Sequence, residues 1–89
     1  MKIPKVIKIG AIVYDVQGVD VEELPINTNG ELNTNRNLIR IRNDIPQNQK
    51  WVVLIHECLH GLNGEIPEET VEWWAQGIYQ ILSDNDLLK

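Results

Sequence analysis

The chain has 89 residues, enough for one domain near the lower limit for burying a useful core and too few for a second independent unit. Its 43% hydrophobic and 24% charged residues are those of an ordinary globular protein, and a net charge of −5 argues against a general electrostatic footprint on nucleic acid or an anionic membrane. The single cysteine, Cys58, excludes an intrachain disulfide framework and fits a reducing, cytoplasmic compartment.

In chain order, Ile3 to Ile9 and Ala11 to Val16 are rich in Val and Ile and interrupted by Gly10, which predicts a hairpin or one bent strand. Lys2, Lys5 and Lys8 are scattered through this segment, which shows no small-residue cleavage site and no run long enough to span a bilayer. From Gln17 to Asn29 the alternation weakens, so the strand is expected to end there in a loop, with Asn29-Gly30 as a turn. Glu31-Leu32, the Asn-rich stretch Asn33 to Asn37 and the alternating Leu38 to Arg42 predict a second hairpin. Its isoleucines, Ile39 and Ile41, should face the core, and Arg40 and Arg42 should face water.

Asn43 and Asp44 precede Ile45-Pro46, a helix entry with the proline early in the first turn. Trp51 to Leu62 is apolar on nearly every side, the pattern of a helix packed between other elements, and Asn63-Gly64 ends it. Pro67, followed by Glu68 and Glu69, opens a second helix running to about Ser83, with carboxylates near the positive end of its dipole. At 100° per residue, Glu68, Val71, Glu72, Ala75, Ile78, Tyr79 and Leu82 share one stripe. The tail from Ser83 is polar and expected to fray. A sheet of about three strands followed by two antiparallel helices makes an α+β domain over residues 1–89.

Three polar side chains interrupt the first helix: His56, Glu57 and His60. Burying such groups is costly unless something binds them. The histidines are four apart, about 40° from each other around the helix, so two imidazoles can serve one ion, and Glu57 lies on the flank of that site. This is H-E-x-x-H, the helical zinc signature in which the glutamate acts as general base towards a metal-bound water. Shuffling this composition produces it in about one chain in five hundred.

A catalytic zinc takes three protein ligands, and the chain has no third histidine. The extended pattern that ends in a third histidine fails, because Asn63 and Ile66 occupy its glycine and histidine positions. A carboxylate must complete the set. Glu68 is the first choice, since the turn from Gly61 to Pro67 brings the start of the second helix beside His60. Glu72, one turn on, is the alternative, either as ligand or as a hydrogen-bond partner of a ligand imidazole. Glu69 points to the solvated side, and Glu65 lies in the turn.

With these residues in view, "GELNTNRNLIRIRNDIPQNQKWVVLIHECLHGL" followed by "PEETVEWWAQGIYQILSDND" resembles the small zincin-like metallopeptidases of phages and bacteria, relatives of the ImmA/IrrE class. The resemblance covers nearly the whole chain, and its specific part is H-E-x-x-H. It implies a minimal zincin fold, His56 and His60 as zinc ligands, Glu57 as base and a glutamate as third ligand. The expected activity is zinc-dependent hydrolysis of a peptide or protein substrate, which a strand edge near Glu31 to Asn33 could hold by strand addition. The alternative is a catalytically silent binding module on the same scaffold, acting through Trp73 and Trp74. Those two tryptophans cannot both face the core; partial burial against the sheet is the ordinary outcome, and an exposed one would mark a partner surface. Tyr79 and Cys58 read as core residues, with Trp51 anchoring the first helix; Tyr14 and Arg40 have no assigned place.

Overall fold

The computed structural model describes residues 2–88 and has the predicted α+β organisation, with one more strand than expected. β1 (Val6–Ile9) and β2 (Ile12–Val19) form a hairpin closed by Gly10 and Ala11. Gly10 has φ +60°, the left-handed conformation that a type II′ hairpin turn places at its first central position. β2 runs to Val19, past the predicted end at Val16, because Gln17, Gly18 and Val19 pair in parallel with Arg40, Ile41 and Arg42 of β4 (Leu38–Arg42). A non-local partner, invisible in local alternation, extends the strand.

A 3₁₀ turn (Val21–Glu23) and a loop lead to β3 (Gly30–Asn33), which returns antiparallel onto β4. The spatial order is β1-β2-β4-β3, so β3 is an edge strand. Asn29-Gly30 is not the turn: Gly30 opens β3, and the left-handed residue is Asn27, φ 63°. The β3–β4 turn places Asn37 at φ 51° and is braced by Arg36 N–H donating to Asn33 Oδ1. On β4, Ile39 and Ile41 are buried as expected, and Arg40 pairs with Glu31 across the ladder at 2.6 Å. Leu38 is buried as well, although it shares the arginines' face.

α1 (Gln47–Leu62) crosses the sheet over β3, β4 and β1, and α2 (Glu68–Asp84) packs on α1. Each helix starts immediately after a proline, Pro46 or Pro67, that stands one residue before the first turn and whose missing N–H costs nothing there. The core joins Ile9, Tyr14, Ile39 and Ile41 of the sheet to Leu54 of α1, with Trp51, Val53 and Cys58 packed against them. Val71 and Ala75, both fully buried, belong to the α1-facing side of α2. The tail does not fray at Ser83: Asp86, at φ 57°, and Leu87 donate their N–H groups to Ser83 and Leu82, a Schellman cap that fixes the end of α2. Among the described residues no helix is long and apolar enough to cross a membrane.

Candidate metal centre

α1 lies between the sheet and α2, so its polar residues must find partners on one of those two sides. His56 and His60 face α2. Their rings meet edge to face with centroids 4.8 Å apart, and their Nε2 atoms are 3.1 Å from each other. The five-residue connection Asn63 to Pro67 is shaped by Asn63, whose Oδ1 accepts from Glu65 N–H and whose own N–H caps Leu59. It delivers the first turn of α2 to this pair of imidazoles.

Glu68 spans both rings. Its Oε1 is 2.7 Å from His56 Nε2 and its Oε2 is 2.8 Å from His60 Nε2. His56, His60 and Glu68 are the one group among the described residues whose donor atoms converge as a metal site requires, all within 4.8 Å of one another. The fit is close: a tetrahedral ion with metal–nitrogen bonds near 2.1 Å has donor–donor edges of about 3.4 Å, within a few tenths of an ångström of the N–N separation. Neither Glu65 nor Glu69 joins the group.

Glu72, one turn further, meets the other nitrogen of His56. Its Oε2 is 2.8 Å from Nδ1, and its Oε1 accepts from Gln76 Nε2 at 2.9 Å. An Nδ1–H donated to Glu72 would leave Nε2 as the lone-pair nitrogen of the ring, available to a cation held between it and Glu68. Of the two parts open to Glu72, the geometry matches the imidazole-orienting one.

Glu57 lies about 100° round α1 from His56, on the sheet side of the same groove, and is 8% exposed. It faces β3, where a Cβ built on Gly30 would stand 3.4 Å from its Oε2. Burial pushes its carboxyl up to about 7, opposed by His56 and reinforced by the negative charge of Glu68, Glu31 and Glu72. The linkage has a definite sign. Because the folded state holds this proton more tightly than the unfolded chain, the contribution of Glu57 to the stability of the metal-free protein falls as pH rises from about 4.5 to about 7, on the order of 3 kcal/mol in all. Glu57→Gln should remove that slope in urea unfolding followed across this range. An unchanged slope would show that Glu57 is solvated.

The centre opens into a groove of about 620 Å³ between α1, α2 and the segment before β3. Asn27, Asn29 and Gly30 form one wall, and Gln49, Val53 and Tyr79 extend the groove away from the histidines. Tyr79 is thus half-buried at the groove's far end and not a core residue. Sequence reading assigns none of these residues to the site: Asn29-Gly30 reads only as a turn and Tyr79 only as core. Gln49 and Val53 could have been found, since they precede His56 and His60 at helical spacing; nothing local shows that the Asn27–Gly30 segment walls the groove. Gly30 is required by its neighbours, because a Cβ there would overlap Val53 Cγ1 and stand 3.1 Å from the Arg40 carbonyl oxygen. Gly30→Ala should cost about 1–3 kcal/mol by chemical denaturation; a neutral result would mean that α1 can lift from β3.

Cys58 takes no part: it packs against the core, and burial pushes its thiol up to about 11. The chain matches no family model, and comparisons with curated proteins and with solved structures return no match.

Proposed function

We propose that the chain is a zinc-dependent metallopeptidase of minimal zincin-like build, holding the ion through His56, His60 and Glu68 and using Glu57 as base, in keeping with the phage and bacterial enzymes it resembles. The observation that carries this reading is the single carboxylate of Glu68 reaching the Nε2 atoms of both histidines at 2.7 and 2.8 Å. Two imidazoles and one carboxylate are the donor set of a catalytic zinc that keeps a position open. When bound, zinc supplies a Lewis acid and brings the pKa of a water to about 7.

The chain's own residues do the rest. Glu57, one residue from His56 and sheltered between α1 and β3, accepts a proton from the attacking water on its carboxylate and returns it to the leaving amine. Peptide bond and water thus become a carboxyl group and an amine. Glu72 holds His56 in the required tautomer, and Gln76 holds Glu72.

The edge of β3 supports an extended peptide as substrate. Arg42 N–H donates to the Asn29 carbonyl, so the antiparallel alternation turns the backbone groups of Asn29, Glu31 and Asn33 towards β4 and those of Gly30 and Leu32 outward. Gly30 stands both at this edge and in the groove wall, where strand addition would lay a peptide beside the centre. The lone cysteine fits action in a reducing cytoplasm. The test is scission of a peptide library by zinc-reconstituted protein, read by mass spectrometry, against the same protein after chelation. Cleavage that appears only with zinc supports the reading, and cleavage that persists after complete chelation contradicts it.

A second reading, a silent module on the same scaffold that acts by binding, is favoured by one observation: Trp73 is 77% exposed.

A further inference from the structure

α2 has two apolar sides and uses one of them. Val71 and Ala75 are buried on the side that packs on α1. At 100° per residue, Trp73, Gly77, Ile81, Trp74 and Ile78 sweep about 140° of the remaining surface. Trp73 is 77% exposed, Ile81 54% and Trp74 44%, so one tryptophan is partly covered and the other stands open, on a helix that packs on α1. A Cβ on Gly77 would have nothing within 4 Å, which leaves bare backbone between Trp73 and Ile81, each one turn away. Glu69 and Asp84 flank the stripe at its two ends on the Trp73 side. From Trp51 to Leu88 the chain carries seven carboxylates and no lysine or arginine.

We propose that this face docks a cationic amphipathic helix of a partner protein, whose apolar stripe covers Trp73, Trp74 and Ile81 and whose flanking lysines or arginines meet Glu69 and Asp84. Charge selects the occupant. A second copy applying the same face sets carboxylate against carboxylate with no cation on either helix, and an anionic bilayer meets the same repulsion. A basic helix gains twice. It removes two tryptophans from water in the helix-on-groove manner, and its charges are complementary to the rim, which speeds encounter and disfavours acidic competitors. The stripe lies away from the groove, so this inference does not depend on the metal chemistry.

The probe is a designed leucine–lysine amphipathic helical peptide, titrated calorimetrically into the full chain, with a leucine–glutamate peptide of the same apolar pattern beside it. The lysine peptide should bind one per chain with a blue shift of tryptophan emission. Affinity should fall about tenfold or more in Trp73→Ser, and again in the double variant Glu69→Lys, Asp84→Lys. It should be the same with and without chelator, so a failed metal assignment cannot be mistaken for a failed docking surface. Trp73 is exposed, and an unchanged thermal melt will confirm that its replacement leaves the fold intact; Trp74→Ser repeats the test at a second position. Equal binding of both peptides, or undiminished affinity in both serine variants, overturns the proposal. A Trp73-dependent dimer in sedimentation, or Trp73-dependent binding to phosphatidylcholine–phosphatidylglycerol vesicles, also overturns it and assigns the face to a second copy or to lipid.

Discussion

Glu57→Gln should lower kcat/KM of the zinc-reconstituted protein by about 10²–10⁴-fold while zinc binding stays within a few-fold of wild type. The substitution keeps the side chain's volume, so the fit beside Gly30 is retained, and it leaves the three proposed ligands in place. What it removes is a group able to take a proton. The prediction is specific because the two effects separate: a variant that loses zinc as well as activity would show that Glu57 supports the centre and not the reaction. Residual activity within about threefold of wild type would dismiss the general base. The measurement is initial rates on whichever library peptide wild type cleaves, with zinc content determined on the same samples.

The second large effect separates two glutamates that share one stripe of α2. Glu68→Ala should weaken zinc binding by more than about 100-fold, because it removes one of three ligands, whereas Glu72→Ala should weaken it by about 10–100-fold, the cost typical of losing the partner that orients a ligand imidazole. The contrast rests on which nitrogen each carboxylate meets: Glu68 faces Nε2 of both histidines, and Glu72 faces Nδ1 of His56 alone. Stability carries the same information, since zinc at a thousand times its Kd stabilises the folded state by about 4 kcal/mol. A zinc-induced rise in Tm should therefore be clear in wild type, smaller in Glu72→Ala, where about 1.4–2.7 kcal/mol remains, and smallest in Glu68→Ala, where less than about 1.4 kcal/mol remains at the same concentration. The reverse order would make Glu72 the ligand.

Much of the centre can be read from residues alone. Two histidines four apart on an otherwise apolar helix state their own geometry, and the break at Asn63-Gly64 with Pro67 behind it requires the chain to reverse so that a carboxylate meets them. The turn favours Glu68, the carboxylate nearest His60, but the part left to Glu72 is not legible, because residues four apart on a helix share a face and only side-chain placement separates a ligand from an orienting partner. The sheet shows the same division between local and non-local information. Gly10 and the alternation of Leu38 to Arg42 are local and legible, whereas the parallel pairing of β2 with β4, which lengthens β2 to Val19, depends on a partner some twenty residues away. Which of Trp73 and Trp74 is the exposed one is not legible for a related reason: helical periodicity tells which side chains share a face, but not that α2 is laid on α1 and leaves that face open.

The proposed chemistry depends on His56, His60 and Glu68 holding a metal ion. In elemental analysis of protein reconstituted with zinc and then freed of excess ion, wild type should carry one zinc per chain and His60→Ala should retain none. Wild-type protein that is folded by circular dichroism yet holds no zinc after reconstitution would contradict the metal assignment.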